Sequence, residues 1–183
     1  MPTMDNSAGR LLRSFAKARE GVSAVEFALV LPILILLYLG GTELSHGITV
    51  DRKLTAMTSS VADLVSQAAI IEDDEMTGIF NAVSAILAPY DASDATVVVS
   101  SIKVDNNGVA KVQWSDGFHA AKRATGSTVT LPSGIAENGT SIILAEGTFT
   151  YSPQFGAAFT GPLTLTDKFY LRPRVTDSIQ RTN

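Results

Sequence analysis

The chain contains no cysteine. This absence excludes disulfide bonds, zinc sites built on thiolates and cysteine nucleophiles. Any exported part of the chain must therefore be held together by a non-covalent core. About 140 residues follow residue 42, which is enough to build one such core.

Histidine is also scarce, with two in the chain, His46 and His119. Because they lie far apart in the sequence, they are poor candidates for a metal or catalytic site. No serine lies in a Gly-x-Ser-x-Gly motif. The segment Asp105-Asn106-Asn107-Gly108 resembles the start of a calcium loop but lacks the later ligands, so it predicts a hairpin turn instead. We therefore expect no enzymatic activity, no metal and no cofactor.

Positive charge is concentrated at the N-terminus. Residues 1–21 carry four basic and two acidic side chains, a net charge of +2, whereas residues 22–183 carry ten basic and sixteen acidic ones, a net charge of −6. The positive-inside rule predicts a cytoplasmic N-terminal segment and a body on the other side of a membrane. An acidic body lacks the basic surface that binds phosphates, so we expect no nucleic-acid partner.

Residues 22–42 form a long apolar run with one charge, Glu26, and one proline, Pro32. As a helix, 21 residues span about 31 Å, roughly the thickness of a hydrocarbon core. A removed signal peptide has a shorter apolar region followed by a cleavage site of small residues. Here the small residues at 40–42 are followed at once by Glu43 and a continuing helical pattern. The run therefore favours a retained membrane anchor.

Apolar spacing after this run predicts one long helix over residues 22–69 and a second helix over residues 73–87, which Pro89 ends. The acidic residues at 72–75 favour a helix start there. The remainder predicts strands, and strands that follow helices in one block indicate an α+β fold with a mostly antiparallel sheet.

The predicted strands cover residues 96–104, 109–114, 127–131, 141–151 and 163–172. Asp116-Gly117 is expected to end the second strand, and residues 118–125 to form a short helix or a loop. The polar tail, residues 176–183, is expected to fray. Residues 155–159, with two phenylalanines, are a candidate apolar loop for contact with a partner.

The junction Gly21-Val22-Ser23-Ala24-Val25-Glu26-Phe27 is the most specific feature of the sequence. A charge in a membrane helix costs about 2.5–3.5 kcal/mol at the bilayer centre and less near the interface, so a retained carboxylate suggests a use. With the apolar residues that follow and Pro32, the junction resembles the N-terminal signature of TadE/TadG-like pilus assembly proteins of the tight-adherence (Tad) type IV pilus systems. Glu43-Leu44 is similar to the pair that commonly ends the apolar run in TadE-like sequences.

This resemblance implies a minor pilin or pseudopilin with three parts: a basic leader at residues 1–21, a transmembrane pilin helix at 22–42 and an exported α+β domain at 43–183. A prepilin peptidase would cut between Gly21 and Val22, with methylation of the new amine left open. Val22, Glu26 and Phe27 would dock the subunit, and Pro32 would kink the helix. The implied partners are the peptidase, other Tad pilins, the inner-membrane assembly machinery and membrane lipid.

The resemblance implies an inner-membrane protein with one span and a periplasmic C-terminal domain, with incorporation into a pilus left open. TadG-like proteins usually carry larger exported domains, so the length favours TadE or TadF. An alternative reading shares every feature except cleavage: a permanently anchored periplasmic binding or adhesion module. For Pro32, an ordinary membrane-helix kink and a hinge used during extraction both remain open.

Overall fold

A computed structural model describes residues 19–135, 137–156 and 161–182. The chain divides into two compact units, with the boundary after Glu43. The leader predicted for residues 1–21 lies outside the described residues except for its last three. The described part of the first unit belongs to a single helix, α1, which covers Arg19–Ser66 and continues into the second unit.

Helix α1 has 48 residues and passes through Pro32 without a break in its assigned helical backbone. Proline has no backbone N–H, so the Ala28 carbonyl one turn earlier loses its usual donor. Membrane helices tolerate such a position because neighbouring groups compensate for the lost bond. The long helix is confirmed, although its end at Ser66 comes before the predicted one.

In the second unit, apolar residues of α1 at intervals of three or four pack into the core, as expected for an amphipathic helix. The fully buried ones are Val50, Leu54, Met57, Val61, Ala62 and Val65. After the short strand β1, Ile70–Ile71, helix α2 covers Asp73–Leu87, as predicted. It buries Met76, Ile79, Val83 and Leu87 against the same core.

Lys53 fastens α1 to the C-terminus of α2. Its Nζ donates hydrogen bonds to the carbonyls of Ile86, at 3.0 Å, and Ala88, at 2.6 Å. The last carbonyls of a helix have no intrahelical donor and carry the negative end of the helix dipole. The Lys53 ammonium donates to these carbonyls and places a positive charge at the negative end of the dipole.

The main sheet is antiparallel and has four strands in the order β3-β2-β4-β5. Strand β2 covers Ala95–Val104, β3 Ala110–Phe118, β4 Ser141–Tyr151 and β5 Leu163–Leu171, and a 3-10 turn at Ala92–Asp94 precedes β2. Strand β6, Gln180–Arg181, pairs with β1 in a separate parallel sheet. The α+β class with a mostly antiparallel sheet is confirmed.

The sheet carries a core on each face. The helix-side core joins α1, α2 and the sheet, and the opposite core is covered by Val129, Leu131 and Ile135 from the segment before β4. A β-bulge shifts the pairing of β2 and β3 between Ser101 and Ile102. The extra residue of a bulge reverses the alternation of side chains, so residues on the two sides of it that would share one face of the sheet point to opposite faces. Trp114 therefore lies in the helix-side core, whereas Val112 lies in the opposite one.

Two strand predictions were wrong. Strand β3 continues through Asp116 and Gly117 to Phe118, because both residues pair with β2. Gly117 is needed there, since a Cβ would lie 2.2 Å from the Ala120 carbonyl oxygen. The strand predicted at 127–131 is not formed, and that segment makes an isolated bridge, Thr128 with Lys111. Residues 119–125 form a loop, which was one of the two alternatives.

The prediction of a frayed tail was also wrong for its described residues. Ile179 is buried, and its carbonyl accepts a hydrogen bond from the Trp114 indole at 2.8 Å. The Thr182 N–H donates to the Ile71 carbonyl at 3.0 Å. Arg181 forms ion pairs with Asp116 and with the first residue of α2. One buried isoleucine and one paired arginine thus outweigh the polar composition of the tail.

We expect Gly147→Ala to lower the free energy of unfolding by about 1–3 kcal/mol, the usual cost of overpacking a core. Gly147 lies in β4 under α1, and a Cβ there would lie 2.0 Å from the Thr58 hydroxyl, with Leu54 and Met57 close by. Thermal unfolding of the full chain in detergent, followed by circular dichroism, measures the change.

Gly78→Ala is the matched control, because Gly78 is exposed in α2 and a Cβ there meets nothing within 4 Å. This variant should be more stable than the parent by about 0.5–1 kcal/mol, since glycine inside a helix is unfavourable. Equal stability of the Gly147→Ala variant and the parent would contradict the close packing of α1 on β4.

Candidate functional site

The first part of α1 presents an apolar surface on all sides. Large apolar side chains are exposed at nearly consecutive positions, namely Val22, Val25, Phe27, Leu29, Val30, Leu31, Ile33, Leu34, Ile35, Leu36, Leu37 and Tyr38. Its most apolar 18-residue window has a mean hydropathy of 2.4, and none of it is buried. Among the described residues, this is the one helix long and apolar enough to cross a membrane. A helix that is apolar all round requires lipid or other helices around it.

The residues of the predicted cleavage site lie within this helix. Gly21 and Val22 are helical and exposed, and Glu26 follows Val22 by four residues. Residues four apart share one face of a helix, about 6 Å apart along its axis. The structure therefore brings Val22 and Glu26 onto one exposed face, with Phe27 beside Glu26. Pro32 lies about one and a half turns beyond Phe27.

Glu26 is exposed on this apolar surface. Its carboxylate makes no hydrogen bond or ion pair with any side chain that the structure describes. An uncompensated charge on an apolar packing surface is unfavourable, and a nearby cation relieves it. A cation brought close to the exposed Glu26 carboxylate would therefore be bound favourably.

An ionic cluster centred on Glu146 lies in the second unit, on the face of the sheet opposite α1. Glu146 accepts from the Arg123 Nε at 2.9 Å and from the Lys168 Nζ at 2.8 Å. Burial by itself would raise the pKa of the Glu146 carboxyl, but hydrogen bonds from Lys168 and Arg123 outweigh it and lower that pKa. The hydrogen bond and the charge of Glu146 in turn raise the pKa of Lys168.

This cluster is a structural one, since each carboxylate oxygen already has a cationic partner. Sequence reasoning missed it because its members come from distant segments. The useful signal is the pairing of β4 with β5, which sets Glu146 directly opposite Lys168. Opposite charges at directly paired positions stabilise a sheet.

The remaining candidates have local structural roles. The Asp105 carboxylate accepts hydrogen bonds from the backbone N–H groups of Val109 and Asn107, which lower its pKa, and Gly108 has a φ of +79°. The hairpin turn predicted there is confirmed. His119 is exposed and stacks on Phe118 at 3.9 Å, and His46 is exposed on α1. No group of three or more metal-ligating side chains occurs among the described residues.

The aromatic side chains divide between the two cores and the surface. Trp114 is buried, Tyr151 and Tyr170 are partly buried against the cores, and Phe155 is exposed. Most of the apolar loop predicted at 155–159 lies outside the described residues, which include only its first two.

We expect Glu146→Gln to lower the free energy of unfolding by about 1–2 kcal/mol at neutral pH. Hydrogen bonds to charged groups contribute about that much, and solvent screens the half-exposed Lys168. Because the folded pKa of Glu146 is lowered, its stabilisation is present above its ordinary pKa of 4.5 and is lost as the pH falls through the folded value. The variant should therefore lose less stability on acidification than the parent.

The raised pKa of Lys168 acts in the opposite range. Its contribution is present below its ordinary pKa of 10.5 and is lost as the pH rises through the folded value. Chemical denaturation at a series of pH values measures the free energy of unfolding, both where it falls at low pH and where it falls at high pH. Asp51→Asn, which removes an exposed carboxylate from α1, is the control and should leave the dependence of stability on pH unchanged at both ends of the range. Parallel pH profiles for Glu146→Gln and the parent would rule out this role.

Comparison with known protein families gives a match over part of the chain. The family model of the TadE-like protein matches residues 21–63, which begin at the predicted cleavage site and end within the second half of α1. No curated protein and no solved structure matches the chain. The resemblance drawn from the junction is confirmed. The match indicates involvement in a Tad pilus system, whose TadE-like proteins are structural, and with the apolar helix it supports membrane anchoring.

Proposed function

We propose, from the TadE-like segment at residues 21–63, that this chain is a minor pilin or pseudopilin that acts in Tad pilus biogenesis and surface adherence. Its site is the exposed first part of α1. The observation that carries the proposal is the position of Val22 and Glu26, on one exposed face at the start of an apolar helix that continues into a folded domain.

Maturation would be cleavage of the peptide bond between Gly21 and Val22 by a prepilin peptidase, which removes the basic leader, residues 1–21. Cleavage leaves an ammonium on Val22 at the N-terminus of a helix, where the helix dipole disfavours positive charge. The Glu26 carboxylate, of the same subunit or of a neighbour, neutralises that ammonium. The pairing favours subunits that dock at the axial level where the two charges meet.

Docking would bury residues 22–42 against lipid before assembly and against other pilins or the assembly machinery after it. Phe27 supplies a large apolar contact beside the ion pair. Pro32 leaves the Ala28 carbonyl without its helical donor, which makes this turn the place where the helix bends. Helix α1 thus supplies both the membrane anchor and the packing surface.

The charge asymmetry supports an orientation for this protein. The basic leader stays in the cytoplasm, the apolar segment crosses the inner membrane once, and the acidic domain from residue 43 lies in the periplasm. The alternative, an uncleaved anchored module for binding or adhesion, has the same orientation and differs in the fate of the leader.

Mass spectrometry of the protein from cells with a prepilin peptidase should find an N-terminus at Val22. Gly21→Leu should block maturation and leave the leader attached. No atom lies within 4 Å of a Cβ added at Gly21 or at Gly40, so neither substitution disturbs described packing. Gly40→Leu is therefore the matched control and should mature normally. An intact leader on the parent protein would overturn the processing step and favour the uncleaved module.

Glu26→Gln should leave processing and membrane insertion intact and weaken docking. Loss of the pair leaves the Val22 ammonium uncompensated, and we expect at least about a tenfold loss of association, which corresponds to about 1.4 kcal/mol. Because the chain has no cysteine, a single introduced Leu29→Cys reports docking through cross-links to other pilins. Glu43→Gln, at the other end of the apolar run, is the control. Equal cross-linking in the two glutamine variants would refute a docking role for Glu26.

A further inference from the structure

The exposed apolar surface of α1 extends one turn into the second unit. Leu44 is 66% exposed and Ile48 is 46% exposed, and the two share a helix face because they are four residues apart. The next positions on that face, Asp51 and Arg52, are exposed and charged. The apolar stripe thus ends abruptly after Ile48.

One end of the sheet lies beside this turn. A Cβ added to Gly47 would lie 3.7 Å from the ring of Tyr151, the last residue of β4. Tyr151 pairs with Leu163, the first residue of β5. Because β4 and β5 are joined at this end, the connection that contains Phe155 also starts here.

This end of the second unit carries two more exposed apolar side chains. Phe155 is 57% exposed, and Leu163 is 46% exposed. We call Leu44, Ile48, Phe155 and Leu163 the proximal patch. Among the described residues of this unit, the other exposed large apolar side chains lie in the last turns of α1, in β1, in the β2–β3 turn and in the segment after β5; they are Leu64, Ile70, Val109 and Val175.

We propose that the proximal patch is a membrane-contact surface that inserts among lipid headgroups. The proposal rests on the membrane anchoring of α1. Leu44 and Ile48 follow the end of the uncharged run by two and six residues, or about 3 and 9 Å of helix. The headgroup region on each side of the hydrocarbon core is about 5–7 Å thick. Leu44 therefore falls within the headgroup region, where interfacial apolar side chains are buried, and Ile48 lies just outside it.

Lipid fits this patch better than a protein partner for two reasons. The patch follows the apolar membrane segment closely along α1, and it stops at Asp51 and Arg52, as a surface at the polar boundary must. Insertion of the proximal patch holds the second unit against the bilayer through side chains from α1 and from the β4–β5 connection. Two attachments restrict the domain more than one helix does.

The test uses environment-sensitive fluorophores on single cysteines, which the cysteine-free chain allows. The full chain carrying Phe155→Cys is labelled and reconstituted in vesicles of phosphatidylethanolamine and phosphatidylglycerol. Val175→Cys, 64% exposed and located after β5, is the matched control. Leu37→Cys, in the apolar run, reports whether α1 spans the membrane.

We expect a blue-shifted emission at residue 155 and a ratio of quenching by lipid-borne nitroxide to quenching by aqueous iodide several-fold higher than at residue 175. Similar ratios at 155 and 175, with residue 37 quenched by the nitroxide, would overturn the patch and leave the anchor intact. Protection of residue 155 from both quenchers would also overturn it, since a protein contact then covers the patch. Iodide quenching at residue 37 would instead contradict the membrane anchor itself, and the membrane-contact proposal would then be rejected as well.

Discussion

The second unit depends on the close approach of α1 to β4 at Gly147. A side chain at this position would collide with Thr58, so the helix can pack this close only because residue 147 is a glycine. The approach lets the fully buried Leu54 and Met57 reach the strand. Because α1 is also the apolar segment at residues 22–42, the same helix serves two environments. Its first part is suited to lipid or other helices, and its last part is buried in the helix-side core of the second unit.

Charge is arranged to support this packing. Lys53 ties α1 to the C-terminus of α2, and Arg181 ties the chain end to the start of α2 and to β3. On the opposite face of the sheet, Glu146 joins β4 to β5 through Lys168 and to the preceding loop through Arg123. Each ion pair joins segments far apart in sequence, which is how a cysteine-free domain holds its loops and its tail in place.

The periodic elements were the predictable ones. Helix α2 was predicted with its observed bounds because its apolar spacing, acidic first turn and following proline agree with one another. Strand β4 was predicted with its observed bounds, residues 141–151, after a segment rich in turn residues. The TadE-like segment was recognised because its signature is local, a glycine and a glutamate at fixed spacing before an apolar run.

The errors came from tertiary contacts that override local preference. Asp116 and Gly117 have turn propensity, but pairing with β2 and the close approach of the Ala120 carbonyl keep them in a strand. The tail was predicted to fray from its polar composition, yet Ile179 fills the core and Trp114 binds its carbonyl. Neither the ionic cluster at Glu146 nor the proximal patch follows from sequence spacing, because strand pairing brings together residues from distant segments.

The direction of α1 along the sheet has a mechanical consequence. Gly47 lies beside the end of β4 and Thr58 beside Gly147, so the helix runs antiparallel to β4, and the N–H of Arg174 holds the Ser66 carbonyl at 2.9 Å at its far end. A force applied along the helix axis, as in drawing the anchor out of a bilayer, loads the whole helix–sheet contact in shear. All the buried side chains of that contact then resist together, whereas peeling would break them one at a time.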